Sequence, residues 1–229
     1  MALAAAVVFD VDGVLLDLTR PEEDAFFTPF QRRHGLTGLS RDWDGYRIRN
    51  DEDIIREILE RHLGRPPSRG EYEAHCAEYL AVLAHGLASG ALRPQTVAGA
   101  AGLLDWLAGN NITTGVATAN LIGAARLRLD AAGMWGRLKP HAHGADGGGH
   151  KRDILARAIG RLGLPRERIV YIGDNLNDLE AGMRNGVRFI GFAAEPHRRQ
   201  RLRNAGAAEV CGDHAQTRRL IARAFGVRD

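Results

Sequence analysis

The stretch Val7-Val8-Phe9-Asp10-Val11-Asp12-Gly13 runs apolar residues straight into two carboxylates and a glycine. Like charges this close cost energy unless a cation lies between them or one stays protonated. Either arrangement points to chemistry. Three later segments carry groups of the same kind. Ala117-Thr118-Ala119-Asn120 offers a hydroxyl and an amide. Gly173-Asp174-Asn175-Leu176-Asn177-Asp178 offers two carboxylates and two amides. Lys151 follows a glycine-rich loop, and Lys139 and Lys151 are the only lysines of the chain. Carboxylates at this density need a cation, and an all-oxygen donor set suits Mg2+. The Lys151 ammonium and the Thr118 hydroxyl suit a phosphoryl group. An aspartate carboxylate can attack phosphorus and form an aspartyl-phosphate.

These groups must be positioned, and the pattern of the chain says how. Nearly continuous apolar runs at 5–9, 112–117, 168–172, 187–192 and 208–211 read as strands covered on both faces. Helical segments at about 97–108, 121–132, 152–162, 178–184, 196–205 and 216–225 separate them. Strand and helix in alternation imply right-handed crossovers and a parallel sheet, an α/β Rossmann-like core with helices on both faces. Asp10, Thr118 and Asp174 then fall at the carboxyl ends of strands, the edge where open α/β sheets bind ligands. The segment 17–93 breaks the alternation and reads as all-helical. In it Ile54, Ile55, Ile58, Leu59 and Leu63 share one face, Asn50 or Asp51 can cap that helix, and Ser68 starts the next. An insertion after the first strand would overhang the site as a lid. The expected organisation is a core of 1–16 and 94–229 with a helical cap of 17–93.

Composition narrows the class. The 229 residues are 45% hydrophobic and 26% charged, as in an ordinary globular protein. Cys76 and Cys211 are the only cysteines, so no disulfide framework is expected and a reducing compartment fits. No basic n-region and no apolar h-region precede Asp10, and no window approaches a membrane span. The expectation is a cytoplasmic protein with no membrane or nucleic-acid partner. Its net charge of +3 comes from interspersed charges of both signs, and the densest basic run, 197–203, reads as a solvated helix face with Leu202 inward. The sequence sets no oligomeric state.

The four segments resemble the motifs of the haloacid dehalogenase-like superfamily, in its phosphatase branch. Its first motif is Asp-x-Asp-Gly after a hydrophobic strand, here Asp10-Val11-Asp12-Gly13. Its second is a Ser or Thr ending a strand, here Thr118. Its third is a lone Lys or Arg, here Lys151 or its neighbour Arg152. Its fourth is Gly-Asp followed by a second acid, here Gly173-Asp174 and Asp178. All four occur in order, and the helical insertion is similar to that family's cap. The resemblance implies Asp10 as nucleophile and Asp12 as the acid that protonates the leaving oxygen and then activates water. It implies Mg2+ on Asp10, the backbone carbonyl of Asp12, and Asp174, with Asn175 in support and Asp178 either supporting that shell or orienting Lys151. Thr118, Ala119, Asn120 and Lys151, with the backbone of Val11 to Gly13, would bind the phosphoryl group.

Two departures stand out. Val14 replaces the threonine that usually follows the first motif, and the proline that often follows the family's lysine is absent. Arg49 is the expected substrate contact from the cap, the alternative being a surface pair with Asp51 or Glu52. Trp43 and Tyr46 read as cap core. His141, His143 and His150 match no regular zinc spacing. The expected activity is Mg2+-dependent hydrolysis of a small organic phosphate monoester. A β-phosphoglucomutase-like mutase is the alternative, although Glu22 lies where its cap histidine is expected. A 2-haloacid dehalogenase would have no use for Asp12 or a metal. A phosphonatase would need a cap lysine, and 17–93 has none.

Overall fold

The computed structural model describes residues 4–228. The chain starts with β1 (Ala6–Phe9) and a short β2 (Leu16–Asp17), then enters three helices, α1 (Arg20–His34), α2 (Asp51–Leu63) and α3 (Arg69–Ala88). It returns through β3 (Gln95–Thr96) and continues as α4 (Ala100–Gly109), β4 (Thr113–Ala117), α5 (Ile122–Ala131), α6 (Trp135–Leu138) and β5 (Ala142–His143). The remainder is α7 (Lys151–Leu162), β6 (Ile169–Gly173), α8 (Leu176–Asn185), β7 (Arg188–Phe192), α9 (Pro196–Asn204), β8 (Val210–Cys211) and α10 (His214–Phe225). Six strands form one sheet in the order β5-β4-β1-β6-β7-β8, and every pair is parallel. The fold is therefore the expected α/β Rossmann-like one.

Alternation along the strands builds two cores. Val7 and Phe9 face one side with helices α4, α5 and α10, while Val8 faces the other with α7, α8 and α9. β1 lies between β4 and β6, in register Val8↔Gly115 and Val8↔Tyr171. The ends of these three neighbouring strands carry Asp10, Thr118 and Asp174, which is why segments so distant in sequence converge.

Three pieces were not anticipated. β2 pairs with β3 antiparallel, Asp17 with Gln95, and so zips together the two chains that enter and leave the helical segment. β5 and α6 are the others; two- and four-residue elements show no period to read. α8 begins two residues earlier than expected because Asn175 caps it and Asp178 returns a bond to the Asn175 amide at 3.1 Å.

The helical segment has its own core, with Phe26, Phe30, Ile54, Ile58, Tyr79 and Leu83 buried and Leu121 and Ala124 of the sheet-forming part packed against them. It meets the sheet edge through the first turn of α2. Asn50 caps that turn, accepting from the Asp53 amide at 2.8 Å, and its side-chain amide donates to the Gly149 carbonyl at 2.7 Å. Glu52 accepts from the Gly147 amide at 2.7 Å, and Asp53 from the Gly149 amide at 3.0 Å. Asn50→Ala removes a cap and an inter-segment bond together. It should cost about 1–2 kcal/mol, read as a lowered urea midpoint at unchanged slope.

Candidate active site

Lys151 is the first residue of α7 and only 5% exposed. Its ammonium lies 2.7 Å from Asp10 Oδ1 and 3.1 Å from Asp178 Oδ1. Asp178 is held at both oxygens: its Oδ1 also accepts the Tyr171 hydroxyl at 2.6 Å and its Oδ2 the Asn175 amide. Asp10 Oδ1 accepts the Val11 amide at 2.7 Å. Burial pushes Asp10 up to about 8; Lys151 opposes the rise, and Asp178 and Asp174 add to it. Burial would lower Lys151, but Asp10 and Asp178 outweigh it and hold the ammonium charged. Arg152, the other candidate cation, reaches Glu180 at 3.3 Å instead.

After Asp10 the chain turns tightly. The amides of Leu15 and Leu16 both bond to the Val11 carbonyl, and the Gly13 amide bonds to the Leu16 carbonyl. Gly13 has φ +74, and a Cβ there would lie 2.4 Å from Asp174 Oδ2. The glycine is thus required twice, by its backbone and by the approach of Asp174. The carboxylate oxygens of Asp10, Asp174 and Asp178 lie within 4.8 Å of one another, a hard-oxygen cluster that could hold a divalent cation. Burial, then Asp178, raise Asp174 to about 6, against the opposing pull of Arg198.

Arg198 is paired with Asp174 and lies 3.9 Å from Glu195. It belongs to the run 197–203, which was expected to be a solvated face; Leu202 is inward as expected, but Arg198 turns to the site. The start of α9 at the sheet edge, rather than its amphipathic pattern, decides this.

Asp12 points to a different partner. Arg128, 1% exposed, places a guanidinium nitrogen 2.7 Å from Asp12 Oδ1 and another 2.8 Å from Glu22 Oε1. Asn120 donates to Asp12 Oδ2 at 2.7 Å. Burial alone would raise Asp12, but Arg128 and Asn120 hold it below its usual value. Arg128 was missed. The signal existed: in α5 the inward positions Ala124, Ala125 and Leu129 predict that Arg128 is inward too.

A cavity of about 340 Å³ lies over these groups. Asp10, Asp12, Gly13, Ala119, Asn120, Lys151, Asp174, Asn175 and Asp178 all line it. Val11 and Thr118 are fully buried behind it, and the Thr118 hydroxyl accepts from Asn120 Nδ2 at 2.9 Å. Arg49 also lines it and is bound to Asp44 at 2.8 Å, rather than to Asp51 or Glu52. Trp43 packs against the helical core, as expected, and also lines the cavity; Tyr46 is buried in that core and does not line it. Asp51, read from sequence only as a possible helix cap or partner of Arg49, docks α2 here: its amide bonds to the Ala119 carbonyl and its carboxyl accepts the Leu121 amide, each at 2.8 Å. Burial raises it to about 7 against that bond.

Lys151→Met would leave Asp10 and Asp178 buried without their cation. Removing one partner of a buried pair costs about 3–5 kcal/mol. A raised carboxyl pKa in the folded state costs stability as pH rises from the unfolded value toward the folded one. The loss relative to wild type should therefore be larger at pH 8 than at pH 5.5, measured by urea unfolding at each pH.

Comparison with known proteins agrees with this geometry. The family model for haloacid dehalogenase-like hydrolases matches residues 4–186. The probable phosphatase IndB of Dickeya dadantii (strain 3937) is 28% identical over 207 residues, covering 87% of this chain and 85% of that protein. CbbY from Rhodobacter sphaeroides, crystallised with phosphate, superposes with a TM-score of 0.73 at 22% identity over 93% of this chain and 96% of its own. A putative beta-phosphoglucomutase from Bacteroides vulgatus gives 0.69 at 19% identity over 97% and 90%. With four motifs at one sheet edge and a family match across most of its length, the chain belongs to the haloacid dehalogenase-like hydrolases.

Proposed function

We propose that the enzyme hydrolyses a small organic phosphate monoester through an aspartyl-phosphate on Asp10, with Mg2+ as cofactor. The observation that carries this reading is Asp10 on the cavity wall, one oxygen fixed by Lys151 and its main chain fixed to β6 by the bond from its amide to the Ile172 carbonyl at 2.8 Å. Asp10 attacks phosphorus, and Lys151 balances charge on the phosphoryl oxygens. Asp12 is held as a carboxylate by Arg128 and Asn120 in this structure, so to act as the acid it must exchange one of these donors for a proton, which it then gives to the leaving oxygen. As a carboxylate it then takes a proton from the water that attacks the aspartyl-phosphate, which frees phosphate and restores Asp10. Arg128 and Asn120 hold Asp12 in the carboxylate form that the second step needs. Mg2+ would be held by Asp10, Asp174 and the Asp12 carbonyl, and it would supply positive charge to the transferring group; Asp178 would support them while it holds Lys151 in place. Thr118 serves through Asn120 in this arrangement.

Residues 17–93 act as the cap, closing the cavity and excluding bulk water. CbbY was solved with phosphate, in keeping with a phosphoryl ligand here. The cavity suits a metabolite. A mutase needs a cap group to handle a second phosphoryl transfer. Glu22, at the expected histidine position, is instead bound by Arg128, which favours hydrolysis. Among the described residues no helix is long and apolar enough to cross a membrane, and both thiols are free; we place the enzyme in the cytoplasm.

The test is Mg2+-dependent release of phosphate from p-nitrophenyl phosphate, abolished by chelator. Asp12→Asn should keep Mg2+ affinity and slow turnover by roughly 10²–10⁴. Wild-type turnover in that variant would remove the acid–base role. Undiminished activity in chelator would remove the metal.

A further inference from the structure

Resting on the phosphatase reading, the cavity wall says what kind of alcohol the phosphoryl group leaves. Among the described lining residues eight bear carboxylates and three bear basic groups. Lys151 belongs to Asp10 and Asp178, and Arg198 to Asp174. The wall built by the helical segment and its entry strand has Asp17, Glu22, Glu23 and Asp51 against one cation, Arg49, which is bound to Asp44. Glu22 and Glu23 are backed by arginines, Arg128 at 2.8 Å and Arg20 and Arg41 at 3.6 and 3.7 Å, but those three guanidiniums do not line the cavity. Asp51, raised by burial, and Glu22, paired with Arg128, add little negative charge, so a second anion on the substrate would meet chiefly the carboxylates of Asp17 and Glu23.

Between the acids the same wall is apolar. Phe26 touches Trp43 and Tyr79 edge to face, at 5.4 and 5.3 Å, and all three line the cavity with Ile54. Leu18, at the same wall, is 40% exposed; among the described residues only Met183 is a comparably exposed large apolar side chain, and Met183 does not line this cavity. An exposed apolar group beside a binding cavity marks a surface that a ligand covers.

We infer that the substrate's alcohol portion is uncharged or cationic and presents an apolar or planar face, and that carboxylate-bearing monoesters and bisphosphates are selected against. Discrimination comes from like charge as much as from contact. The competing possibility is that Arg49 leaves Asp44 and clamps a second anion.

Three esters decide between them: phenyl, 4-carboxyphenyl and 4-(aminomethyl)phenyl phosphate. They release phenols of similar acidity, so differences in kcat/KM report the wall rather than the leaving group. The carboxyl ester should be slower than the phenyl ester by about tenfold or more, and the aminomethyl ester should equal or exceed it. Glu23→Gln should narrow the carboxyl penalty severalfold. A carboxyl ester turned over as well as the phenyl ester overturns the inference, and loss of that activity in Arg49→Gln would identify the clamp. If no ester is hydrolysed, the phosphatase reading fails by itself. The wall is then read by calorimetric binding of benzylphosphonate and 4-carboxybenzylphosphonate: tighter binding of the uncharged ligand upholds the inference, and equal or reversed affinities overturn it.

Discussion

The buried contact of Lys151 with Asp10 and Asp178 is the constraint on which the rest depends. A carboxylate at the end of a central parallel strand has lost most of its water. It needs a cation at hydrogen-bond distance, and that cation needs a second partner to stay fixed. β6 supplies the partner's setting. Gly173 lets Asp178 fold back over the strand end, since a Cβ there would lie 2.3 Å from Asp178 Cβ. Tyr171 of the same strand donates to Asp178. The glycine loop before α7 lets the chain turn so that Lys151 starts its helix at the sheet edge; Gly147, Gly148 and Gly149 all have positive φ.

A second buried network joins the two parts of the molecule. Arg128 of α5 holds Asp12 of the strand loop and Glu22 of α1, so the proposed acid–base aspartate and the first helix of the insertion share one guanidinium. Replacing such groups by apolar ones is often neutral or stabilising, so their presence is better explained by positioning than by stability. Asp51 makes a second join, in α2, to the loop after β4. Any movement of the helical segment must exchange these bonds for others.

Most of the sheet was legible because strands covered on both faces are written as apolar runs, and five of the six were found within a residue or two. β5 was not, since a two-residue edge strand carries no pattern. Asp10 and Asp174 were legible from type and position at strand ends, and Lys151 from its place after the glycine-rich loop at the start of a helix; geometry prefers Lys151 over Arg152. Arg198 and Arg128 were not found. One lies in a run that reads as solvated surface, and the other is a charge at a core position of a helix whose apolar face is weak. Arg49 was placed at the cavity, but its bond to Asp44 depends on a turn that has no period to read. Contacts across the insertion are set by tertiary packing and leave little local trace.

The account stands on Asp10 as the atom that accepts phosphorus. Rapid-quench mass spectrometry of the Asp12→Asn variant, mixed with Mg2+ and an aryl phosphate, tests that most directly. The first step needs little protonation when the leaving group is activated, while the second lacks its base. The account predicts an acid-stable, hydroxylamine-sensitive phosphoryl label on the peptide containing Asp10, formed faster than the enzyme turns over. A label on any other residue, or turnover with no enzyme-bound phosphoryl group at any quench time, would contradict it.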